Sequence, residues 1–223
     1  YYFARYLMWN FVGRQNDLEG NMENTKGNWI SGISFIDNAM YGDQSKMPAK
    51  FKNESTVAFF FLPLLLGIIG FFFQLNRDFG RFYAILSLFI LTSVGIVFYT
   101  GVKPFEVRER DYAMVGSFYA FAIWIGLGAG AILWFIQKKV KADGVNIGAG
   151  VLLLGIPLMM GFQNYNVHDR SGRYAAYDYA YSTLKSLPKD DILFVYGDND
   201  TYPIWGMQET SGLRDDVKVV NFT

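Results

Sequence analysis

A charged run at residues 106–112 is the part of the sequence best suited to hold a phosphate. Within it Arg108 and Arg110 alternate with Glu109 and Asp111. Guanidinium groups make forked hydrogen bonds to phosphate oxygens, and a neighbouring carboxylate can orient an arginine or take a proton from a hydroxyl. The alternating signs are also typical of a salt-bridge cluster that neutralises itself. Both interpretations stay open at this point.

A pair of carboxylates, Asp198 and Asp200, lies in residues 197–201, after a predicted strand. In open α/β sheets ligands bind beyond the carboxyl ends of the strands. Two carboxylates separated by one residue can hold a divalent cation or sugar hydroxyls if their side chains converge. Asp and Asn also favour tight turns and helix N-termini, so a structural role is an equal alternative.

The third candidate group begins with His168, Asp169 and Arg170. A histidine beside an aspartate resembles half of an acid/base pair, but no serine nucleophile motif accompanies it. A lone histidine is poor evidence for zinc. We therefore expect Asp169 or Ser171 to cap the helix that follows, while Arg170 remains available for a lipid phosphate.

Four apolar stretches without a charged side chain must position these groups, at residues 57–75, 82–102, 115–136 and 145–162. A helix needs about 20 apolar residues to cross the roughly 30 Å hydrocarbon core of a bilayer. The first three stretches reach that length, whereas the fourth is short and contains Pro157. None shows the polar/apolar alternation of a barrel strand. The sequence predicts a membrane α-helical protein with four transmembrane helices.

The loops predict how these helices are oriented, because Lys and Arg are retained on the cytoplasmic side. Residues 76–81 and 137–144 are basic, whereas in residues 103–114 positive and negative charges balance. We therefore expect a multi-pass protein of the bacterial inner membrane, with residues 1–56 and the polar C-terminal segment in the periplasm. The ends of the sequence suggest a fragment of a longer protein.

The polar segments divide the chain into three predicted parts: a periplasmic or interfacial segment at 1–56, the membrane region at 57–162 and the truncated beginning of a soluble α/β domain at 163–223. In the first part we expect an ordered loop with a short helix at 34–40 and Trp29 at the headgroup level. In the last part the pattern predicts helices at 171–187 and 202–212 and parallel strands at 192–196 and 217–222.

Composition excludes several classes of function. The 20 Lys and Arg balance the 20 Asp and Glu, so a nucleic-acid partner is not expected. The chain contains no cysteine, which removes thiol catalysis and thiolate metal sites. The apolar stretches lack the ionisable groups that ion-coupled transporters need at membrane depth.

Six segments resemble a bacterial family of multispanning membrane proteins, once described only as a domain of unknown function. They are RQND at 14–17, GNWISGI at 27–33, RERDY at 108–112, GSFYAFAIWIG at 116–126, HDRSGRY at 168–174 and GDNDT at 197–201. That family is similar to the transmembrane protein O-mannosyltransferases of the GT-C superfamily. The resemblance implies a polyprenyl-phosphate sugar as donor, Ser or Thr of a periplasmic protein as acceptor, and a catalytic carboxylate upstream of Tyr1.

On this hypothesis Arg108 and Arg110 bind the donor phosphate, and Glu109 and Asp111 hold those arginines. The acceptor would be bound by Asp198, Asp200, His168 and Arg170, and the need for a divalent cation stays open. Membrane lipids are the remaining expected partners. The competing hypothesis is a noncatalytic membrane scaffold subunit whose α/β segment docks onto a periplasmic or secretion complex.

Overall fold

The computed structural model describes residues 1–20, 22–101 and 110–222, which form two compact units, Tyr1–His168 and Asp169–Thr223. The first unit contains α1 (Tyr2–Phe11), β1 (Gly13–Arg14), α2 (Ser34–Tyr41), β2 (Val57–Ala58), α3 (Leu62–Arg77), α4 (Phe79–Ile90), α5 (Ile96–Thr100), α6 (Val115–Lys139) and α7 (Asp143–His168). The second contains α8 (Ala175–Ser186), β3 (Ile192–Val195), α9 (Asp198–Ser211) and β4 (Lys218–Asn221).

Three helical stretches are long and apolar enough to cross a membrane: Phe79–Thr100, Asp111–Lys139 and Asp143–His168. They correspond to the second, third and fourth predicted spans. The first predicted span differs, because its helix α3 has only 16 residues and is therefore about 24 Å long. Val57 and Ala58 form a strand instead, and Phe60 and Phe61 take the left-handed conformation just before the helix begins. Within residues 1–20, 22–101 and 110–222 there are thus three candidate spans and one shorter apolar helix rather than four full-length spans.

Helix α7 is longer than predicted and runs for 26 residues through Pro157. Proline is tolerated in membrane helices because neighbouring groups compensate for the missing amide. Polar residues extend the helix beyond the apolar run, and Asn164 donates its side-chain amide to the Met160 carbonyl at 2.9 Å. The polar side chains of this last part therefore belong to the helix rather than to a loop.

The stretch Phe79–Thr100 is interrupted by a π-helical turn at Leu91–Gly95, which separates α4 from α5. Ser93 is buried in this turn. Such widened turns are rare in α-helices. The second predicted span is thus helical as far as Thr100, Gly101 takes the left-handed conformation after the helix, and Val102 lies outside the described residues.

Helices α3 and α6 pack closely because glycines face each other where they meet. A Cβ added at Gly70 would overlap the Trp124 carbonyl oxygen, and one at Gly128 would overlap the Leu66 carbonyl oxygen. Small residues at helix contacts let two backbones approach in this way. The short helix α3 is therefore an integral part of the helical bundle.

Contacts between helix termini define two opposite ends of the bundle in the first unit. At one end, Gln163 of α7 accepts a hydrogen bond from the Ala58 amide at 2.9 Å, and the Arg110 amide donates to the Tyr6 hydroxyl at 3.2 Å. At the other end, Arg77 of α3 lies over the ring of Trp134 of α6. We call these the polar end and the basic end.

The described residues of the segment 13–56, which are 13–20 and 22–56, form the predicted loop at the polar end. It is closed by antiparallel pairing of β1 with β2, and Arg14 also bridges to Trp29. Buried Asn16 organises the interior: its side chain donates to the carbonyls of Thr25 and Phe51 and accepts from the amides of Leu18 and Gly27. The predicted helix at 34–40 is confirmed as α2.

The second unit is a βαβ arrangement in which β3 and β4 pair in parallel, which confirms the predicted strand direction. Its core consists of Ala180, Leu184, Val195, Ile204, Met207 and Val217. Helix α8 begins at Ala175 rather than at the predicted 171. The expected cap is wrong, because Asp169 accepts from the Ser171 amide in a turn that precedes the helix.

Arg214 holds the elements of this unit together. Its guanidinium donates to the Leu184 and Leu187 carbonyls at 2.9 and 2.8 Å and makes a two-pronged ion pair with Asp216, both N–O distances being 2.8 Å. These bonds to Arg214 hold the pKa of Asp216 far below its ordinary value. The end of α8 and the start of β4 are thereby joined through one side chain.

Candidate anion-binding site

The predicted phosphate-binding run is described only in part, since Arg108 and Glu109 lie outside the described residues. Arg110 contacts α1 through its backbone amide and the Tyr6 hydroxyl. Asp111 begins a 3₁₀ turn, Asp111–Met114, that leads into α6. Met114 at the end of this turn is fully buried. The start of α6 is therefore anchored on α1.

Two arginines that sequence reasoning did not select flank a buried indole at this polar end. The Cζ atom of Arg5 lies 4.7 Å from the Trp9 ring centroid, and that of Arg14 lies 5.6 Å from it. Trp9 is only 5% exposed and packs with Tyr6 and Met114. Cations near a desolvated indole face are attracted by its quadrupole. The ring thus helps to hold two positive groups near one another.

Arg14 and Trp9 each present a buried N–H group without a hydrogen-bond partner in the part of the chain that the structure describes. The Arg14 Nε donates to the Ser55 carbonyl at 2.9 Å, which leaves Nη2 as the unpaired atom. On Trp9 it is the indole Nε1. An unmet buried donor costs about 1–3 kcal/mol. A ligand that supplied acceptor oxygens here would recover this free energy.

The charge of Arg14 is tuned by its surroundings. Burial lowers the pKa of its guanidinium, while the negative charges of Asp17 and Asp111 oppose that shift. An arginine remains protonated in proteins even when its pKa falls somewhat. The predicted run therefore reaches this site through Asp111, whose carboxylate supports the positive charge of Arg14.

A cavity of about 130 Å³ lies beside this cluster. Burial, followed by the nearby Tyr1 and Asp37, raises the pKa of Tyr41 to about 12, so this hydroxyl stays protonated at neutral pH. Trp29 packs edge-on against Tyr41 with their ring centroids 6.3 Å apart. The position of Trp29 at the level of the lipid headgroups stays a prediction. The cavity is lined by Tyr1, Ala4, Arg5, Met8, Asn28, Trp29 and Tyr41.

The two carboxylates predicted in a turn belong instead to the first turn of a helix, because α9 begins at Asp198. Residues two positions apart on a helix do not face each other, so Asp198 and Asp200 do not converge through their helical spacing. Negative charge is favourable at a helix N-terminus, which accounts for both residues. Within residues 1–20, 22–101 and 110–222, no cluster of three or more His, Cys, Asp or Glu could hold a metal ion.

The adjacent His168 and Asp169 each have a separate partner. The His168 Nδ1 lies 2.9 Å from the Asn164 carbonyl oxygen at the end of α7. Asp169 accepts from Ser171, and these hydrogen bonds lower the pKa of Asp169. Their hydrogen bonds therefore give no support for an acid/base pair, and Arg170 follows as an exposed residue.

Comparison with known proteins adds independent information on both units. Residues 176–223 match the family model described as TMEM260-associated domain 2. An alignment 112 residues long, which covers 45% of the chain, shows 30% identity to the protein O-mannosyl-transferase tmem260 of Dictyostelium discoideum. The chain is similar to O-mannosyltransferase-like proteins. It spans 14% of the length of that relative, and no solved structure matches it.

One signal in the sequence points to the missed residues. Arg5 is the sole charge in the apolar segment 1–12, and a buried arginine needs compensating partners. Arg14 opens the RQND string, but its approach to Trp9 depends on the pairing of β1 with β2. That pairing joins residues distant in sequence, so no local pattern could have identified Arg14 as part of the site.

Proposed function

We propose that this chain is part of an integral-membrane, GT-C-like glycosyltransferase that moves a sugar from a polyprenyl-phosphate donor to Ser or Thr of periplasmic proteins. The candidate spans and the similarity to a protein O-mannosyl-transferase support this proposal. The observation that carries it is the pair of buried, unmet donors on Arg14 and Trp9, beside the start of α6. Such donors suit a phosphate at the bundle end.

In the proposed reaction an aspartate outside this chain takes the proton of the acceptor hydroxyl. The hydroxyl oxygen attacks the anomeric carbon, and the bond from that carbon to the phosphate oxygen breaks. Polyprenyl phosphate leaves with the electron pair, so negative charge develops on its phosphate. Preformed positive groups lower a barrier most where charge develops. Arg14, Arg108 and Arg110 supply them, and Glu109 and Asp111 orient the arginines.

The acceptor side of the proposal involves Asp198, Asp200, His168 and Arg170, which would contact the acceptor protein. Their assignment to the acceptor comes from the sequence alone. A divalent cation at Asp198 and Asp200 would need ligands from the acceptor or from other parts of the protein, since two carboxylates fill few of its six to eight coordination positions.

The proposed topology is multi-pass in the bacterial inner membrane, with α3 as a fourth span and the polar end in the periplasm. The second unit would then begin a soluble periplasmic α/β domain.

Because the chain contains no cysteine, single cysteines at Asn24, Lys139 and Lys189 can be labelled from outside with an impermeant thiol reagent. We expect labelling at Asn24 and Lys189 but not at Lys139. Labelling of Asn24 and Lys189 from opposite sides would contradict the topology.

Transfer from a lipid-linked mannose in membranes containing the full-length protein tests the activity. We expect Arg14→Gln and Trp9→Phe to lower the rate, with the arginine change costing about 10²–10³-fold. Trp9→Phe keeps an aromatic ring but removes the N–H group together with part of the bicyclic indole. Arg81→Gln, at the basic end, is the matched control and should retain the wild-type rate.

An unchanged rate in both Arg14→Gln and Trp9→Phe would overturn the phosphate-binding role. A wild-type protein that transfers no sugar, yet copurifies with stoichiometric partner proteins, would favour the scaffold hypothesis. Thermal unfolding of each variant separates loss of activity from loss of folding.

A further inference from the structure

A second candidate site lies at the basic end, far from the groups used above. A groove of about 490 Å³ runs between α3 and α6. Its walls are apolar, while Asn76, Arg77 and Trp134 form its polar rim. Most of the residues in this wall are exposed, so the groove opens at the surface of the bundle. The apolar lining consists of Ile68, Ile69, Phe72, Phe73, Ala131 and Phe135.

Two cationic side chains contact the ring of Trp134 at the mouth of this groove. The Cζ atom of Arg77 lies 4.3 Å from the Trp134 ring centroid, and the Nζ atom of Lys138 lies 5.3 Å from it. Arg77 also lies 4.8 Å from the Phe73 ring centroid. These aromatic contacts hold both positive groups, which remain exposed, beside the apolar groove.

Neither cation is neutralised by a carboxylate within the described ranges 1–20, 22–101 and 110–222. The nearest acidic residue in sequence, Asp78, is engaged by Arg81, with 3.3 Å between Nε and Oδ2. It also accepts from the Arg81 amide at 3.1 Å, which begins α4. The groove is lined by no Asp or Glu among these residues. Two positive charges are thus available to one anion.

We propose that this groove binds an anionic phospholipid, with one acyl chain along the apolar wall and the phosphate between Arg77 and Lys138. Each half of the lipid meets matching chemistry: hydrocarbon against Ile69 and Phe72, and phosphate against a guanidinium and an ammonium group. Basic pockets between transmembrane helices are known to bind acidic headgroups. The proposal does not depend on sugar transfer.

Lipid binding to the purified full-length protein, followed by native mass spectrometry, tests this site. The probes are phosphatidylglycerol and phosphatidylcholine with identical acyl chains. We expect tighter binding of phosphatidylglycerol to the wild type. Each cation removed by Arg77→Gln or Lys138→Gln should weaken that binding about fivefold, which corresponds to about 1 kcal/mol per charge near a membrane surface.

The matched control is the double variant Arg81→Gln, Lys139→Gln, which removes the same charge from the same end but spares the groove. It should leave phosphatidylglycerol binding within about twofold of the wild type, since its charges are farther from the lipid. The proposal fails if this control weakens binding as much as the double variant Arg77→Gln, Lys138→Gln does. It also fails if the wild type binds both lipids equally.

The acyl-chain half has its own test in Ile69→Trp, which fills the groove without changing the charge. We expect this variant to weaken the binding of both lipids while its thermal unfolding stays close to that of the wild type. Unchanged binding would show that no acyl chain occupies the groove and would overturn that half of the proposal. Binding that falls only for phosphatidylglycerol would overturn it as well.

Discussion

Trp124 donates its indole N–H to the side-chain carbonyl oxygen of Gln74 at 2.8 Å and thereby joins α6 to α3. Trp124 is 1% exposed and Gln74 is 8% exposed, so water does not compete for this bond. Interhelical hydrogen bonds of membrane proteins contribute about 0.6 kcal/mol on average. The pair fixes the rotation of a short helix against a long one.

A double-mutant cycle with Gln74→Leu and Trp124→Phe should measure this bond directly. We expect a coupling free energy of about 0.6 kcal/mol, read from unfolding in detergent, because each single change removes the same interaction. The control cycle pairs Gln74→Leu with Trp134→Phe, whose side chains make no bond to each other, and should show additivity. Additivity in the first cycle as well would contradict the assignment.

Glycine contacts between α3 and α6 predict a sharp difference among alanine variants. Gly70→Ala and Gly128→Ala should each destabilise the bundle by about 1–3 kcal/mol, because the new methyl group meets a backbone atom that cannot move aside. Gly130→Ala, where a Cβ meets nothing within 4 Å among the described residues, serves as the control. Equal unfolding temperatures for all three variants would refute the close approach.

Asn16 should be essential for order in the loop 13–56. Asn16→Ala removes four hydrogen bonds from the loop interior and leaves buried carbonyl and amide groups unmet, at about 1–3 kcal/mol for an unmet group. Faster amide hydrogen exchange throughout the loop is the expected result. The exposed Asn24 provides the control variant Asn24→Ala, and equal exchange in the two variants would be evidence against this role.

The lowered pKa of Asp216 predicts that the second unit loses stability in acid. Its pKa in the folded state lies far below the unfolded value of about 3.9. Its stabilisation is therefore complete above that unfolded value and declines as the pH falls toward the folded pKa. Thermal unfolding measured from pH 6 to pH 2 should show this decline, and Asp216→Asn should reduce it. Asp215→Asn, a change of the same charge at a more exposed position, should preserve the wild-type profile.

The three long spans were predictable because an uncharged apolar run of about 20 residues matches the thickness of a bilayer and is typical of a membrane helix. The start of α3 was not predictable, because the apolar residues Val57 and Ala58 suit a strand as well as a helix. Only their pairing with Gly13 and Arg14 selects the strand. The fourth predicted span, 145–162, is shorter than the helix found, because α7 also includes polar residues beyond the apolar run.

The candidate site was predictable only where its residues are neighbours in sequence. Arg110 and Asp111 were identified from their alternating charges, while Trp9 and Arg14 depend on contacts between distant segments. The turn predicted at 197–201 failed for a local reason. Asp and Asn favour both tight turns and first helical turns, and only the structure shows that Asp198 begins α9.

The pairing of β1 with β2 has a consequence for biosynthesis. This ladder joins residues 13–14 to 57–58, so it cannot close until the ribosome has made residue 58. The network around Asn16 depends on the same closure through Phe51. Closure of this loop therefore follows the synthesis of the segment that leads into α3.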